Sequence, residues 1–212
     1  MSLVMAMKFA NGVVMVGDSF VSNCNGGAEL ADCESSRKIW EVKSSPTLDM
    51  RRQKGKLVGL GMYKEKDKLV GGAGLYKSLM AIRYSSIEFD RIGSMADVIN
   101  YFVPSVVDVL REHNFLSKES PVETIDASFI IADVDHIFLI DEDLSVIEKK
   151  CFAATGAGYE QAICLFEQKF SDTPVSEITE EQATEFVGMA LTKCSLLQQK
   201  IKKPFFFLKL DK

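Results

Sequence analysis

The sequence has few of the residues that build metal sites and nucleic-acid surfaces. It contains only two histidines, His113 and His136, and neither has a partner at a recognised metal-ligand spacing. Lysine and arginine number 25 against 30 acidic residues, a formal net charge of -5. The basic residues are scattered along the chain instead of forming a stripe. We therefore expect no metal, no cofactor and no nucleic-acid partner.

Long apolar runs and paired cysteines are also missing. No run approaches the roughly 20 residues needed to cross a bilayer, and no basic segment followed by an apolar stretch opens the chain. The five cysteines form no CxxC pair, so reduced structural thiols are expected. We predict a cytoplasmic protein without a membrane partner. Its length and its 47% hydrophobic content predict one folded domain over residues 1–212.

The first quarter of the chain is patterned as strands. Residues 3–9 and 13–18 are apolar, and Asn11-Gly12 between them favours a tight hairpin turn with positive φ angles. Residues 37–42 alternate as a third strand, whereas residues 44–56 are typical of an exposed connection. These patterns predict a hairpin at the start of the chain, followed by a further strand.

Two helices and a second set of strands follow. Apolar spacing predicts helices over residues 74–84 and 94–111, with Ser94 as an N-cap and Pro104 as a candidate kink. Apolar, β-branched segments separated by acidic turns then predict a meander at residues 124–133, 136–140 and 146–152. Two more helices, the second capped by Thr179, and a last strand are predicted at residues 159–170, 180–197 and 204–210.

This order of strands, helix pair, strands, helix pair and strand predicts the fold class. Two facing sheets with a helix pair outside each would bury every apolar face. We therefore expect an α+β fold, a four-layer αββα sandwich of two antiparallel sheets flanked by helix pairs.

The opening residues carry a resemblance. A strand ending in Lys8-Phe9, the Asn11-Gly12 turn, a strand over residues 13–16 and then Gly17-Asp18-Ser19 resemble the proteasome β-type subunits. The second half resembles the bacterial heat-shock-locus V peptidase of the same superfamily, the N-terminal nucleophile hydrolases. The resemblance covers nearly the whole chain. It implies a peptidase subunit that assembles into a homo-oligomeric ring, takes peptides or unfolded proteins as substrate and works with an ATPase partner.

The resemblance also implies site residues. Counting back from Asp18, the family's N-terminal threonine nucleophile falls on Ser2, which removal of Met1 would expose. The family lysine matches Lys38, in the basic pair before the third strand. The glycine whose N–H helps to form the family's oxyanion hole matches Gly71.

A later turn is similar to a second part of the family site. Residues 154–162 resemble the glycine-serine-glycine turn that leads into the third helix, with Gly158 as a backbone contributor. Ala157 stands where the family has the serine. The family aspartate after the fourth helix falls in residues 194–199, which hold no acid.

In the family mechanism the terminal hydroxyl attacks a peptide carbonyl and the free α-amino group is the general base. Lys38 would depress the pKa of that amine, Asp18 would orient Lys38, and backbone N–H groups would bind the oxyanion. A Met-Ser-Leu start is also typical of a sequence added in cloning. Ala157 in place of the family serine, the lack of an acid in residues 194–199 and a cloning origin of Ser2 all favour a second hypothesis. In that hypothesis the protein is a catalytically inactive subunit with an assembly or binding role.

Other chemistries fit the sequence less well. The glycines of residues 71–74 precede a helix as a phosphate cradle would, but the GxxxxGK[ST] pattern is missing. The acids of residues 133–143 do not have EF-hand spacing. Cys194 lies on an apolar helix face with neither histidine beside it in sequence, so a cysteine hydrolase is a remote alternative.

Overall fold

Two antiparallel sheets stack face to face in the computed structural model, which describes residues 2–18, 38–42, 46–53, 56–64, 67–117, 124–198, 201 and 203–212. The first sheet consists of β1 (Leu3–Phe9), β2 (Gly12–Asp18), β12 (Phe152–Gly156) and β13 (Phe205–Asp211), in the order β12-β1-β2-β13. The second consists of β3 (Ile39–Val42), β6 (Lys68–Gly74), β9 (Ala127–Ala132), β10 (Ile137–Ile140) and β11 (Val146–Lys149), in the order β11-β10-β9-β6-β3.

Helices cover the outer face of each sheet. The second sheet packs against α1 (Tyr76–Arg83), α2 (Met95–Asp97), a π-helical turn (Val98–Phe102) and α3 (Val103–Glu112). The first packs against α4 (Tyr159–Phe170) and α5 (Glu180–Leu197). Short 3-10 turns lie at Phe89–Arg91 and Val175–Glu177. The predicted αββα sandwich is therefore confirmed.

Four further strands form two small pairs. β4 (Pro46–Gln53) and β5 (Lys56–Lys64) form a hairpin, and β7 (Leu116–Ser117) pairs with β8 (Thr124–Ile125). The hairpin corrects the expectation of an exposed connection over residues 44–56. No helix in the described ranges has the length and apolar character needed to span a membrane.

β1 shows why the sandwich forms, because it is buried on both faces. Leu3, Met5 and Met7 pack into the cluster under α4 and α5, whereas Val4 and Ala6 pack between the two sheets. A strand buried on both sides is expected to be a continuous apolar run, which is what residues 3–7 are.

The hairpin between β1 and β2 forms at the predicted place, but its turn does not have the predicted positive φ angles. The turn lies at Ala10 and Asn11, and neither Asn11 nor Gly12 has a positive φ. Gly12 already belongs to β2, where a Cβ would lie 2.1 Å from the carbonyl oxygen of Leu210 on β13. The glycine is therefore required by a close strand contact instead of by turn geometry.

The segment predicted as one strand over residues 146–152 is split. Lys150 and Cys151 interrupt it, so that β11 joins the second sheet and β12 joins the first. The prediction was wrong because the sequence of residues 146–152 does not show where the chain crosses between stacked sheets. The crossing leaves β12 at the edge of the first sheet, with β1 as its strand neighbour.

The other elements lie close to their predicted positions. Ser94 caps α2 by accepting a hydrogen bond from the Asp97 N–H, but a π-helical turn divides the predicted helix just before Pro104. Proline lacks the N–H of a regular helical turn, which accounts for an irregularity there. Thr179 forms a capping box with Gln182 at the start of α5, as a threonine N-cap predicts.

Candidate active site

Ser2, Asp18 and Lys38 lie together at one end of the sandwich. The ammonium group of Lys38 donates a hydrogen bond to Ser2 Oγ. The same nitrogen lies 3.4 Å from Asp18 Oδ1. The exposed fractions of Ser2, Asp18 and Lys38 are 2%, 0% and 2%. A hydroxyl, an amine and a carboxylate therefore form one buried cluster.

Each member of this cluster is positioned by a strand. Ser2 directly precedes β1, Asp18 ends β2, and Lys38 directly precedes β3. The N–H of Leu3 donates to Asp18 Oδ1 at 3.2 Å, and the N–H of Gly72 donates to the Lys38 carbonyl oxygen at 3.0 Å. Since both sheets contribute, the packing of one sheet on the other sets the distance between Lys38 and Asp18.

Burial changes the acid-base chemistry of Lys38. Removing the ammonium group from water disfavours its charged form, and this lowers the pKa of Lys38 below its ordinary value. The charge of Asp18 and its hydrogen bond act in the opposite direction and are the smaller effects. A neutral amine beside Ser2 Oγ is therefore easier to form here than for a lysine in water.

Main-chain contacts fix Ser2 from the side of β12. The N–H of Ala157 donates to the Ser2 carbonyl oxygen at 2.6 Å. Gly156 has a φ of +96°, and a Cβ on it would lie 1.9 Å from that oxygen and 2.6 Å from the Cβ of Ala73. Gly156 is therefore a site residue that the sequence left without a role, and its only signal was the repeated glycine of the turn.

Gly71 lies where the two sheets pack against each other. A Cβ on Gly71 would lie within 3 Å of Val4, Met15 and Ile39, so this glycine permits close packing of the two sheets. Because N–H groups alternate along a strand and that of Gly72 points to β3, the N–H of Gly71 points to β9.

Gly158 begins α4 and has a φ of +78°. Its carbonyl oxygen accepts hydrogen bonds from the Ala162 N–H at 3.1 Å and the Cys194 thiol at 3.6 Å. Gly158 thus links the start of α4 to the C-terminal part of α5. Its neighbours in the chain, Gly156 and Tyr159, line the cavity beside Ser2.

A cavity of about 910 Å³ opens beside Ser2. Its lining near Ser2 includes Gly74, at the end of β6, together with Ser128 and Thr155. Ser128 Oγ and Thr155 Oγ1 are hydrogen-bonded to each other and join β9 of the second sheet to β12 of the first. Sequence reasoning missed this pair, whose only signal was one hydroxyl in each of two apolar strands.

The described residues offer little else to the site. Residues 194–198, at the end of α5, hold no carboxylate. Across the parts of the chain that the structure describes, no group of three or more histidine, cysteine, aspartate or glutamate side chains is arranged to hold a metal ion.

Comparison with known proteins gives a match in structure and none in sequence. No protein-family model matches the sequence, and no curated protein matches it. Thiobacillus denitrificans BPH has a TM-score of 0.69 at 15% identity, covering 99% of this chain and 97% of that one. HslV from Trypanosoma brucei has a TM-score of 0.61 at 14% identity, with 99% of both chains covered.

The fold is therefore that of the proteasome-type N-terminal nucleophile hydrolases. The Anbu complex from Pseudomonas aeruginosa, described as a helical assembly, matches with a TM-score of 0.67 at 14% identity, covering 99% of this chain and 81% of that one. The Thiobacillus protein has also been solved in complex with epoxomicin. Identities this low establish the proteasome-type fold alone, so function has to be argued from the site.

Proposed function

We propose that this protein is a proteasome-like peptidase subunit in which Ser2 Oγ is the nucleophile. The observation that carries the proposal is the buried cluster in which Lys38 Nζ contacts Ser2 Oγ and lies 3.4 Å from Asp18. A nucleophile in contact with a base that is oriented by a third group is the arrangement that covalent hydrolases use.

The first step moves a proton within this cluster. Neutral Lys38 accepts the hydroxyl proton of Ser2 as Oγ forms a bond to the peptide carbonyl carbon. The resulting ammonium is stabilised by Asp18. The proton then passes to the leaving amine as the peptide C–N bond breaks, which leaves an ester on Ser2 for water to hydrolyse. Depression of the Lys38 pKa by burial favours this step.

The oxyanion of the tetrahedral intermediate needs N–H donors near Ser2. We assign this role to Gly74 in place of Gly71, because Gly74 lines the cavity together with Ser2. By strand alternation its N–H points to the same side of β6 as that of Gly72, which donates to Lys38. A donor held in this way stabilises charge without reorganisation during the reaction.

We also propose that the chain is processed at its start. Removal of Met1 would give Ser2 a free α-amino group, a second base on the nucleophile's own residue. We further propose that residues 1–212 form one domain and that the protein works in the cytoplasm.

An assembly role without catalysis is the second candidate. Its motivation is the alanine at position 157 and the lack of a carboxylate in residues 194–198. Apolar side chains are exposed on the outer helices, at Ile99 and at Leu196 and Leu197 near the end of α5. For both candidates we propose a homo-oligomer built through these helix layers, with an ATPase as a further partner. The number of subunits in the homo-oligomer can be measured by light scattering after size-exclusion chromatography.

Peptide turnover distinguishes the two candidates. Wild-type protein is expected to cleave members of a fluorogenic peptide library and to be inhibited by epoxomicin, the ligand of the Thiobacillus neighbour. Ser2→Ala is expected to lose cleavage while its assembly and melting temperature are unchanged, and Ser2→Thr keeps the hydroxyl as the matched control. Cleavage at the wild-type rate by Ser2→Ala would exclude Ser2 as the nucleophile.

A further inference from the structure

Ser2 and Thr155 lie on the same face of the first sheet. The N–H of Ala157 donates to the Ser2 carbonyl oxygen, and the next pair along the two strands is Val4 with Thr155. Ser2 and Thr155 are therefore diagonal neighbours, with about 7–8 Å between their backbones. Val4 packs between the two sheets, and alternate residues of a strand share a face. The side chains of Ser2 and Thr155 thus both enter the space between the sheets.

The second sheet supplies another hydroxyl at this place. Ser128 on β9 is paired with Ala73 on β6, and a Cβ on Gly156 would lie 2.6 Å from the Cβ of Ala73. Ser128 Oγ and Thr155 Oγ1 are hydrogen-bonded to each other, and we call these two groups the hydroxyl pair. Ser2 and both members of the pair line one cavity, and the pair is only 5% and 6% exposed. The hydroxyl pair therefore belongs to the cavity wall beside the candidate nucleophile.

The hydroxyl pair has hydrogen-bonding capacity to spare. Two hydroxyls carry two protons and four lone pairs, and their mutual bond uses one of each. Within the described ranges, neither Ser128 Oγ nor Thr155 Oγ1 has a second hydrogen-bond partner. One O–H donor and three acceptor positions therefore remain for a molecule in the cavity beside Ser2.

We propose that the hydroxyl pair of Ser128 and Thr155 holds the water that hydrolyses the ester on Ser2. A water suits the pair because it can accept the free O–H and donate to a free lone pair at the same time. Two hydrogen bonds of about 2.8 Å each, through one water, also fit the spacing of the diagonal side chains. This inference rests on the proposed function, since it assigns residues that orient the water in the second half of the same reaction.

The step needs no group beyond those already described. Once the first product has left, Lys38 is neutral and Ser2 Oγ carries the acyl group. The water oxygen bonds to the ester carbonyl carbon while one water proton goes to Lys38 Nζ. The bond between that carbon and Oγ then breaks, Oγ takes the proton from Lys38, and the carboxylic acid leaves. Ser128 and Thr155 hold the water and gain or lose no proton overall.

Formation of the ester does not depend on the hydroxyl pair. It uses the hydroxyl of Ser2 and the base Lys38, which lies at the start of β3. Ser128 and Thr155 belong to other strands, β9 and β12. The leaving group of a p-nitrophenyl ester also needs no proton. Such a substrate therefore separates ester formation from the hydrolysis that the pair is proposed to assist.

The substitutions are chosen as matched sets. Thr155→Val keeps the branched shape of threonine without its hydroxyl, whereas Thr155→Ser keeps the hydroxyl without the methyl group. Ser128→Ala removes the other hydroxyl, from the second sheet. Ser105→Ala on α3 removes a hydroxyl that donates to the Tyr101 carbonyl oxygen, and it is the control for a loss away from the cavity. The folding of every variant is checked by thermal melting.

The measurement is stopped-flow absorbance with an acetylated peptide p-nitrophenyl ester. The burst of p-nitrophenol reports ester formation on Ser2, and the linear phase that follows reports hydrolysis of that ester. Thr155→Val and Ser128→Ala are expected to keep the burst amplitude and to slow the linear phase about tenfold, because a hydrogen bond to the water is lost. Thr155→Ser is expected to recover most of this loss. Ser105→Ala is expected to match the wild type in both phases.

Hydroxylamine separates loss of the water from displacement of the ester. Its nitrogen attacks the ester carbonyl carbon and releases the acyl group as a hydroxamate, so no bound water is required. Cleavage by hydroxylamine is expected to be equally fast in wild-type protein and in Thr155→Val. If Thr155→Val slowed this cleavage as much as it slowed hydrolysis, the substitution would have moved the ester, and the proposal would be overturned.

The remaining outcomes distinguish this proposal from the proposed function. A linear phase at the wild-type rate in both Ser128→Ala and Thr155→Val would refute the water site and retain Ser2 as the nucleophile. Equal slowing of the burst and the linear phase would assign the pair a structural role and also refute the site. A wild-type protein that shows no burst dependent on Ser2 would overturn the peptidase function and this inference together.

Discussion

Lys38→Met is expected to destabilise the fold strongly, although methionine has nearly the same length and is apolar. The substitution leaves the carboxylate of Asp18 buried without the cation that lies 3.4 Å away. Neither partner is more than 2% exposed, so water does not replace the lost interaction. Removing one member of such a buried pair costs about 3–5 kcal/mol in the free energy of unfolding.

The pair is tested by a double-mutant cycle in urea at neutral pH. Asp18→Asn alone leaves Lys38 without its carboxylate and is expected to destabilise by a similar amount. The double variant Lys38→Met/Asp18→Asn buries no charge at either position, so it is expected to be more stable than the sum of the single effects predicts, by at least about 1 kcal/mol. Additive losses would refute the reasoning, because they would show that the two charges do not interact.

Three further predictions concern the surroundings of the site. Gly156→Ala is expected to cost about 1–3 kcal/mol or more, because its φ is +96° and a Cβ meets a carbonyl oxygen at 1.9 Å; Gly93→Ala, with no atom closer than 3.7 Å, is the control. Burial raises the pKa of the Cys151 thiol from 9.0 to about 11, so at pH 8.5 iodoacetamide is expected to alkylate the exposed Cys164 first. The stability that Cys151 contributes is complete below pH 9.0 and is lost as the pH rises through about 11, because only the unfolded thiol ionises between these values. Peptide turnover is expected to rise with pH to a plateau below the ordinary lysine pKa of 10.5, since burial lowers the pKa of Lys38 and the neutral amine is the base.

Each of these has a distinct contrary result. Equal melting temperatures for the two glycine variants would show that the backbone at position 156 can relax. Mass-spectrometric peptide mapping that finds Cys151 alkylated as fast as Cys164 would contradict its burial. A turnover profile that falls as the pH rises from 6 to 9 would require a protonated Lys38 instead of a neutral one.

The helices and the layer order could be predicted because their signals are local. Thr179 capped α5 as expected, and apolar spacing gave residues 159–170 as a helix with the bounds that the structure shows. Long amphipathic segments carry their own periodicity. The change of sheet at Lys150 and Cys151 has no such signal, because β11 and β12 are only four and five residues long and neither glycine nor proline lies between them.

The sequence predicted the three residues of the candidate site that lie at strand ends, but not the contacts of that site that depend on packing. Ser2, Asp18 and Lys38 were reached through a resemblance carried by the ends of strands. Which N–H groups point outward depends on the strand register, so the resemblance indicated Gly71 for the oxyanion role that we propose for Gly74. Which strands stack over one another is also visible only in the assembled sheets.

The most direct test of the central claim is to identify the atom that becomes acylated. Protein whose intact mass shows Ser2 as the first residue is mixed with an acetylated peptide p-nitrophenyl ester, quenched in acid during the burst and digested for mass spectrometry. The account predicts one p-nitrophenol released per chain in the burst and the acyl group on Ser2, with neither in Ser2→Ala. An acyl group on Lys38 or elsewhere, or an equal burst in Ser2→Ala, would contradict it.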